Sequence, residues 1–299
     1  MLPALPENVL AGAVPTWDLS SLVHRNCPIC SSNRKLSFCT RPDSLNVTQC
    51  EDCLALYLPD IPSESEIIKF YEQYNQFKAY HAPSKTDLIK IRIRSWFDPY
   101  VRILERSGGL NNQKLIEVGC SFGTFLKCCI IRGSKVHGVE LDAKARKSLT
   151  NFGVTTSAEI PSNGTFDIAC AFQVLEHIAN PLMLLNSIHS ILQKDGRLLL
   201  SVPNAGEVSK LGCAWVGFRA DLEHFNYFDL KSLSHLLTKS GFYIEQYWEH
   251  HQPNLQRTPG SSTFRITDIL TLPLYLLRYA NSDFSENGAY ALTVLARKV

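Results

Sequence analysis

One stretch constrains the fold of this 299-residue chain more than any other: Leu115-Ile116-Glu117-Val118-Gly119-Cys120-Ser121-Phe122-Gly123-Thr124-Phe125-Leu126. An apolar β-type run enters a turn of small residues and leaves it as the start of a helix. Glycine at such a turn lets the backbone pass close under a ligand and leaves helix N-terminal amides pointing at it. Glu117 stands two residues ahead of Gly119, and Glu140 closes the next β-type run, Val136-His137-Gly138-Val139-Glu140. An acid about 20 residues beyond the turn can accept hydrogen bonds from both hydroxyls of a ribose.

The alternation continues to the end of the chain. Strands are expected at about Lys114–Val118, Lys135–Glu140, Val154–Ser157, Phe166–Ala171, Gly196–Val202, Tyr243–Trp248 and Ala291–Arg297. Helices are expected between them at about Gly123–Arg132, Ala143–Asn151, Pro181–Leu192 and Leu230–Ser240. Strands alternating with helices predict an α/β fold, a Rossmann-like sheet of seven strands with helices on both faces, here over 113–299. An insertion at about 250–287 separates the last two strands, which form a hairpin-like return.

Ten cysteines would suggest disulfides in a secreted chain. The first 23 residues carry no basic leader and are interrupted by Pro3, Pro6 and Pro15, so they read as an N-terminal arm and the expected compartment is the cytoplasm. The cysteines are then metal ligands or buried thiols. Cys27-Pro-Ile-Cys30 and Cys50-Glu-Asp-Cys53 are two knuckles separated by a strand-like stretch, a spacing that supplies the four soft ligands tetrahedral zinc prefers. Residues 24–61 are therefore expected to form a small zinc-ribbon-like module whose closed site is structural. Ser31 and Leu54 stand where such knuckles often carry glycine, and the competing reading is four reduced cysteines packed as small apolar residues.

Residues 62–112 read as a helical linker or lid: one helix within Pro62–Tyr80, then another over Lys85–Arg106 with an apolar stripe of Trp96, Tyr100, Ile103 and Leu104. A balance of 30 basic against 28 acidic residues lacks the excess of a phosphate-tracking surface, which argues against nucleic acid. No apolar run reaches the ~20 residues that span a bilayer. The longest, Ile269–Leu277, contains Pro273. Within the insertion it leaves room for a cap, a homodimer contact or a peripheral membrane face for a lipid-linked substrate, internal packing being the commonest outcome.

Four motifs together resemble the class I S-adenosylmethionine-dependent methyltransferases: Glu117–Gly123, Phe166-Asp167-Ile168-Ala169, Val174-Leu175-Glu176-His177-Ile178-Ala179-Asn180-Pro181, and Gly196–Asn204. The chain looks like the bacterial branch with an N-terminal zinc ribbon, often found among enzymes that modify glycans or secondary metabolites. The resemblance implies S-adenosyl-L-methionine as cofactor and a sheet of methyltransferase rather than dehydrogenase order. It further implies that Glu117 holds the methionine end, that Gly119, Ser121 and Gly123 shape the turn, that Glu140 holds the ribose, and that Gln173 faces the sulfur. For the adenine the candidates are Ser157, Ala158 through its backbone amide, and Glu159.

Methyl transfer from a sulfonium is an in-line displacement, so a hydroxyl acceptor needs alignment and a base. Two histidines follow expected strand ends, where open α/β sheets bind ligands. His177 lies in the Leu-Glu-His motif and His224 in Asp221-Leu222-Glu223-His224-Phe225. His224 is the stronger candidate for general base; His177 equally reads as a residue that fixes its loop by hydrogen bonds. In ubiquinone-pathway O-methyltransferases, which share the motif, Glu and His near this point are linked to a metal ion, so the resemblance extends that role to Glu176 and His177. Trp215, Phe218, Phe225, Tyr227 and Phe228 are candidates to stack on an acceptor, or plain core. The leading reading is O-methylation of a small-molecule or glycan-like acceptor. Beside it stand C- or N-methylation and a non-catalytic zinc-ribbon scaffold.

Overall fold

A computed structural model describes residues 17–76, 85–219, 222–250 and 290–299, with the side chains of 72–76 and 85–88 set aside. The arm before Trp17, the tail of the first expected helix and the 250–287 insertion with Ile269–Leu277, apart from His250, lie outside the described residues.

The N-terminal part opens with short strands: β1 (Val23–His24), β2 (Lys35–Thr40), β3 (Asn46–Cys50), β4 (Leu56–Tyr57) and β5 (Asp60–Ile61). β1 pairs with β5, and β2, β3 and β4 form an antiparallel sheet. Three helices follow: α1 (Glu64–Gln76), α2 (Lys85–Phe97) and α3 (Pro99–Arg106).

The single helix expected over Lys85–Arg106 is thus two. Asp98 breaks it: its Oδ1 accepts from the backbone N–H of Tyr100 (3.1 Å) and Val101 (3.3 Å), and Pro99 takes the first helical position, where its missing N–H costs nothing. The apolar stripe is corrected too. Val101, Ile103 and Leu104 are buried, but Trp96 is 60% exposed and holds the Arg132 guanidinium over its ring at 4.2 Å.

From Lys114 the expected alternation is present: β6 (Lys114–Val118), α4 (Thr124–Ile131), β7 (Lys135–Val139), α5 (Ala143–Thr150), β8 (Thr155–Ser157), β9 (Phe166–Phe172), α6 (Pro181–Ile191), β10 (Leu192–Pro203), a short α7 (Val208–Leu211), β11 (Asn226–Tyr227), α8 (Leu230–Lys239), β12 (Phe242–His250) and β13 (Ala291–Lys298). Seven of these strands form one sheet in the order β12-β13-β10-β9-β6-β7-β8. β6 to β10 run parallel, whereas β13 inserts antiparallel between β10 and β12. The order reverses at β6/β9, so the crevice where such sheets bind ligands opens at the carboxyl ends of those two strands.

The core has three parts. One cluster on the sheet joins Ile116, Ala169, Leu185, Ile188, Leu198, Leu233 and Leu236, and reaches Cys27, Ile29 and Cys50 of the N-terminal part. A second joins Val101, Leu104, Phe125, Leu126, Leu149 and Leu199. The third joins Leu45, Val47, Leu56, Leu58 and Ile61 to Trp215, Phe218, Phe225 and Tyr227. Those aromatic side chains, with Phe228, are buried and do not offer a stacking platform. Full burial of each is worth about 1.5–3 kcal/mol, and that energy fastens the N-terminal strands to the main sheet. The joint is also made by main-chain pairing: β11 adds antiparallel to β4, so the four-stranded sheet β11-β4-β3-β2 takes its edge strand from residues 226–227.

Candidate functional site: a cofactor crevice and an adjoining histidine cluster

The crevice is built on the turn after β6. Gly119 has φ +72° and Gly123 φ +59°, and a side chain at either would collide: an added Cβ lies 2.5 Å from Val174 Cγ2 at Gly119 and 2.3 Å from Leu149 Cδ2 at Gly123. Ser121 between them is also left-handed, at φ +47°. The Ser121 N–H donates to Glu140 Oε2 (2.8 Å), and the Asp142 N–H donates to Glu140 Oε1 (3.0 Å). Each oxygen keeps a second lone pair, so Glu140 is clamped against the turn with acceptor capacity in reserve for hydroxyls. Leu141 beside it is 75% exposed, an apolar face next to the acid.

Glu117, at the end of β6, is 5% exposed. Burial raises its carboxyl well above the usual carboxylate range, and the Asp98 and Glu140 carboxylates add to the rise. Among the described residues its Oε2 has no hydrogen-bond partner. Such a group fits a cationic ligand: a buried acid surrounded by acids lacks a counter-charge, which the ammonium of an S-adenosylmethionine would supply. Gln173, just after β9, is held at φ +54° with its N–H bonded to Ser201 O (2.8 Å), while its buried Nε2 has no partner among the described residues. A non-glycine residue in that conformation with an unused donor is the kind of strain that concentrates at binding sites. Ala158 is exposed just past β8, within one residue of Ser157, whose carbonyl accepts from the Glu140 N–H (3.0 Å). The Ser157 hydroxyl is already engaged by Glu159 O and His137 Nε2 (2.8 Å).

Asp98 and Tyr100 back this crevice, Asp98 through its charge on Glu117 and Tyr100 through Phe172 and Ser201, and sequence reasoning missed them. Asp98 is buried and bonded to Arg94 (3.4 Å). Tyr100 stacks on Phe172 with ring centroids 4.1 Å apart and donates to Ser201 Oγ (3.1 Å). The Asp-Pro pair that starts α3 was the available signal, since it is a helix N-cap followed by its preferred first residue.

The structure brings His177 and His224 together. Their rings meet edge to face with centroids 4.6 Å apart. Glu176 Oε1 lies 3.9 Å from His177 Nε2 and 4.0 Å from His224 Nε2, and His177 Nδ1 meets Glu223 O at 3.2 Å. Burial depresses His177 to about 4, the Glu223 carbonyl opposing, and holds His224 well below the usual imidazole range, with His177 and the Arg41 charge acting the same way. Burial thus favours the neutral form of both rings, in which one ring nitrogen is left as a hydrogen-bond acceptor. Glu176, His177 and His224 each offer one ligand atom within 4.8 Å of the others, a set that could also hold a divalent cation.

The four knuckle cysteines converge as their spacing predicts. Cys27 Sγ and Cys53 Sγ are 3.5 Å apart, as are Cys30 Sγ and Cys50 Sγ, and all four lie within 4.8 Å of one another. Zinc–sulfur bonds of ~2.3 Å in a tetrahedron place sulfurs ~3.8 Å apart, so the donor set fits that ion.

A Rossmann-like sheet with this strand order and a crevice between two acids defines the methyltransferase class. Residues 88–247, more than half of the chain, match the methyltransferase domain family, and the chain belongs to it: it carries a class I S-adenosylmethionine-dependent methyltransferase domain. It is similar to the ubiquinone biosynthesis O-methyltransferase of Pseudomonas aeruginosa, 25% identical over 150 residues that cover 46% of this chain and 58% of that relative. It is also similar to the enzyme of the same name from Acinetobacter baumannii, 22% identical over 161 residues covering 50% and 63%. The match thus spans about three fifths of the length of these curated relatives. The solved structure of the 1,6-didemethyltoxoflavin-N1-methyltransferase of Burkholderia thailandensis shares the fold at a TM-score of 0.50 and 17% identity, covering 83% of this chain and 97% of that one.

Proposed function

We propose that this protein transfers the methyl group of S-adenosyl-L-methionine to a hydroxyl of a small-molecule or glycan-like acceptor. One observation carries the reading: the rings of His177 and His224 meet with centroids 4.6 Å apart, and His177 lies on the loop that leaves the crevice, four residues after Gln173. An amine in its neutral form presents a lone pair and can attack without a base in the methyl-transfer step, whereas a hydroxyl must lose a proton as the methyl carbon arrives. Two histidines beside a carboxylate suit that proton removal, which favours oxygen over nitrogen. The ubiquinone-pathway relatives, O-methyltransferases by name, point the same way.

In this reading Glu117 receives the methionine ammonium, Glu140 the ribose hydroxyls, and Leu141 with the Ala158 amide the adenine. Gly119, Ser121 and Gly123 keep the turn low under the ligand, and Gln173 directs its free amide at the methionine end. His224 accepts the acceptor's proton and Glu176 stabilises the imidazolium that forms. The cofactor supplies the electrophilic methyl group. Cys27, Cys30, Cys50 and Cys53 hold structural zinc, and the division into an arm (1–23), a cysteine module (24–61), a helical linker (62–112) and the main domain (113–299) is retained. Among the described residues no helix is long and apolar enough to cross a membrane.

The test has two arms. Calorimetry with S-adenosylhomocysteine should show binding; its absence favours a scaffold. Incubation with labelled cofactor and a cell extract, followed by mass spectrometry of the labelled product, identifies the acceptor atom. With that acceptor, His224→Ala should lower turnover at least ~10³-fold and leave cofactor affinity within about twofold. Activity that persists in the variant, or a product methylated on nitrogen, sinks the assignment.

A further inference from the structure

Neither histidine is held by the main sheet alone. Arg41 follows β2 in the cysteine module, and its side chain is wholly buried. It donates from Nη1 to His224 O (2.6 Å) and to the Tyr227 hydroxyl (2.8 Å), and from Nη2 to Leu222 O. Its charge is met by Asp43, which takes Nε (3.0 Å) and Nη2. Arg25, just past β1, donates from Nη2 to Phe225 O (2.7 Å), from Nη1 to Ala179 O (2.7 Å) and from Nε to Leu58 O (2.9 Å).

The targets are informative. A buried guanidinium must satisfy five donors in a rigid fork, and its own module could have supplied the acceptors. Instead the two side chains fix the carbonyls of residues 222, 224 and 225, which bracket His224, and that of residue 179, two beyond His177. Fixing a carbonyl fixes its peptide plane: Arg41 sets the plane that leaves His224, the plane that enters it carries the Glu223 carbonyl met by His177 Nδ1 at 3.2 Å, and these two planes set the direction of the Cα–Cβ bond. Asn226, one residue past this bracket, ties the two loops from the other side: its Nδ2 donates to Leu175 O (3.1 Å) and Ile178 O (2.8 Å).

We propose that Arg41 and Arg25 are positioning residues for His224 and His177, so that the cysteine module is a working half of the acceptor site rather than an appendage to a finished enzyme. This inference rests on the methyl-transfer reading for its purpose, but its geometry can be tested without turnover. The first variant is Arg41→Met/Asp43→Asn in the full chain, which leaves no buried unpaired charge and keeps an acceptor for Trp17 Nε1, bonded to Asp43 at 3.0 Å. In histidine-labelled protein the nuclear Overhauser contact between the His177 and His224 rings should fall by at least half. S-adenosylhomocysteine affinity should stay within threefold, and the amide spectrum of residues 114–170 should be unchanged.

Once the acceptor is known, kcat should fall at least tenfold with KM for the cofactor unmoved. An undiminished ring contact in the folded variant overturns the proposal. Should the double variant lose cofactor binding altogether, Arg41→Lys decides. It retains the ion pair with Asp43, but one ammonium cannot serve Leu222, His224 and Tyr227 together, so the ring contact should weaken again; full retention overturns the proposal. If the methyl group proves to go to nitrogen or carbon, the reading of His224 as base fails while the ring contact still reports on the positioning.

Discussion

The cofactor turn and the cysteine knuckles both bend the chain through left-handed residues, yet they choose different side chains to do it. At Gly119 and Gly123 the backbone lies so close to Val174 and Leu149 that a Cβ would overlap them. In the knuckles the same conformation is taken by Ser31 (φ +67°) and Leu54 (φ +65°), both exposed. Glycine is thus demanded where something must pack against the bend, whereas at an exposed bend the cost of a side chain, roughly 1–2 kcal/mol, can be met by other bonds. Here those are the bonds from Ser31 N–H to Cys27 O (2.9 Å) and from Leu54 N–H to Cys50 O (3.0 Å), together with the ligation the four thiols are arranged for.

If ligation is what holds the knuckles, its loss should be felt far more in one half of the molecule than in the other. Cys50 is fully buried at the end of β3 and belongs to the core cluster that reaches the main sheet. Cys50→Ser should reduce bound zinc from one equivalent per chain to near none by elemental analysis. A structural site contributes on the order of 10 kcal/mol at neutral pH, so loss of several kcal/mol of stability in the module is expected. Limited proteolysis should then open residues 24–61, while S-adenosylhomocysteine still binds within about tenfold of wild type. Unchanged metal content would mean that four packed thiols, not a zinc site, occupy the knuckles.

The complementary change should spare the module and empty the crevice. Glu140→Ala removes the acceptor aligned by Ser121 and Asp142. Two hydrogen bonds to a charged oxygen, at about 1.5 kcal/mol each, predict roughly a hundredfold loss of cofactor affinity by calorimetry with zinc content unaltered. Binding within threefold of wild type would show that the acid does not hold the ribose.

The same contrast explains what was legible in the sequence. The seven strands and the cofactor turn rest on local signals: a period of two giving way to a helix, small residues at a bend, an acid at a strand end; the order of the strands came from the resemblance those motifs carry. The four cysteines were legible because ligand spacing is a local code. What escaped was non-local. Nothing near Arg41 says that it grips His224, 183 residues away. Trp215 and Phe218 read more readily as core than as platform, but which elements cover them is seen only with β2, β3 and β4 packed over them. The break at Asp98 was legible but outweighed by an apolar periodicity that ran across it.

Glu117→Gln tests the electrostatics of the cofactor half more finely. A carboxyl whose folded pKa is raised costs the fold nothing below its ordinary value near 4.5, where it is protonated in both states. As pH rises from there toward the raised value, the unfolded chain ionises and the fold loses stability. Glutamine removes that cost, so the ligand-free variant should gain about 1 kcal/mol at pH 8 and nothing at pH 4. Cofactor binding should show the opposite sign. The ligand cation favours the ionised acid, so wild-type affinity should climb with pH and binding should release a proton, measurable as buffer-dependent heat. The variant should bind about tenfold more weakly with a flat profile. A wild-type affinity independent of pH would break the assignment.

The smallest effect returns to the bends. Leu54 is 53% exposed, so replacing it with glycine forfeits little burial. At φ +65° glycine is relieved of the left-handed strain but admits more freedom in the unfolded chain, which offsets part of the gain. Leu54→Gly should therefore raise the melting temperature slightly, by the equivalent of about 0.5 kcal/mol, and it should do so more in zinc-free protein, where ligation no longer holds the bend. Gly119→Ala, at a similar φ, should lose both stability and cofactor binding, because Val174 occupies the space its methyl needs. Substitutions of equal sign at the two bends would mean that conformation alone, and not the neighbour packed against it, decides where glycine is required.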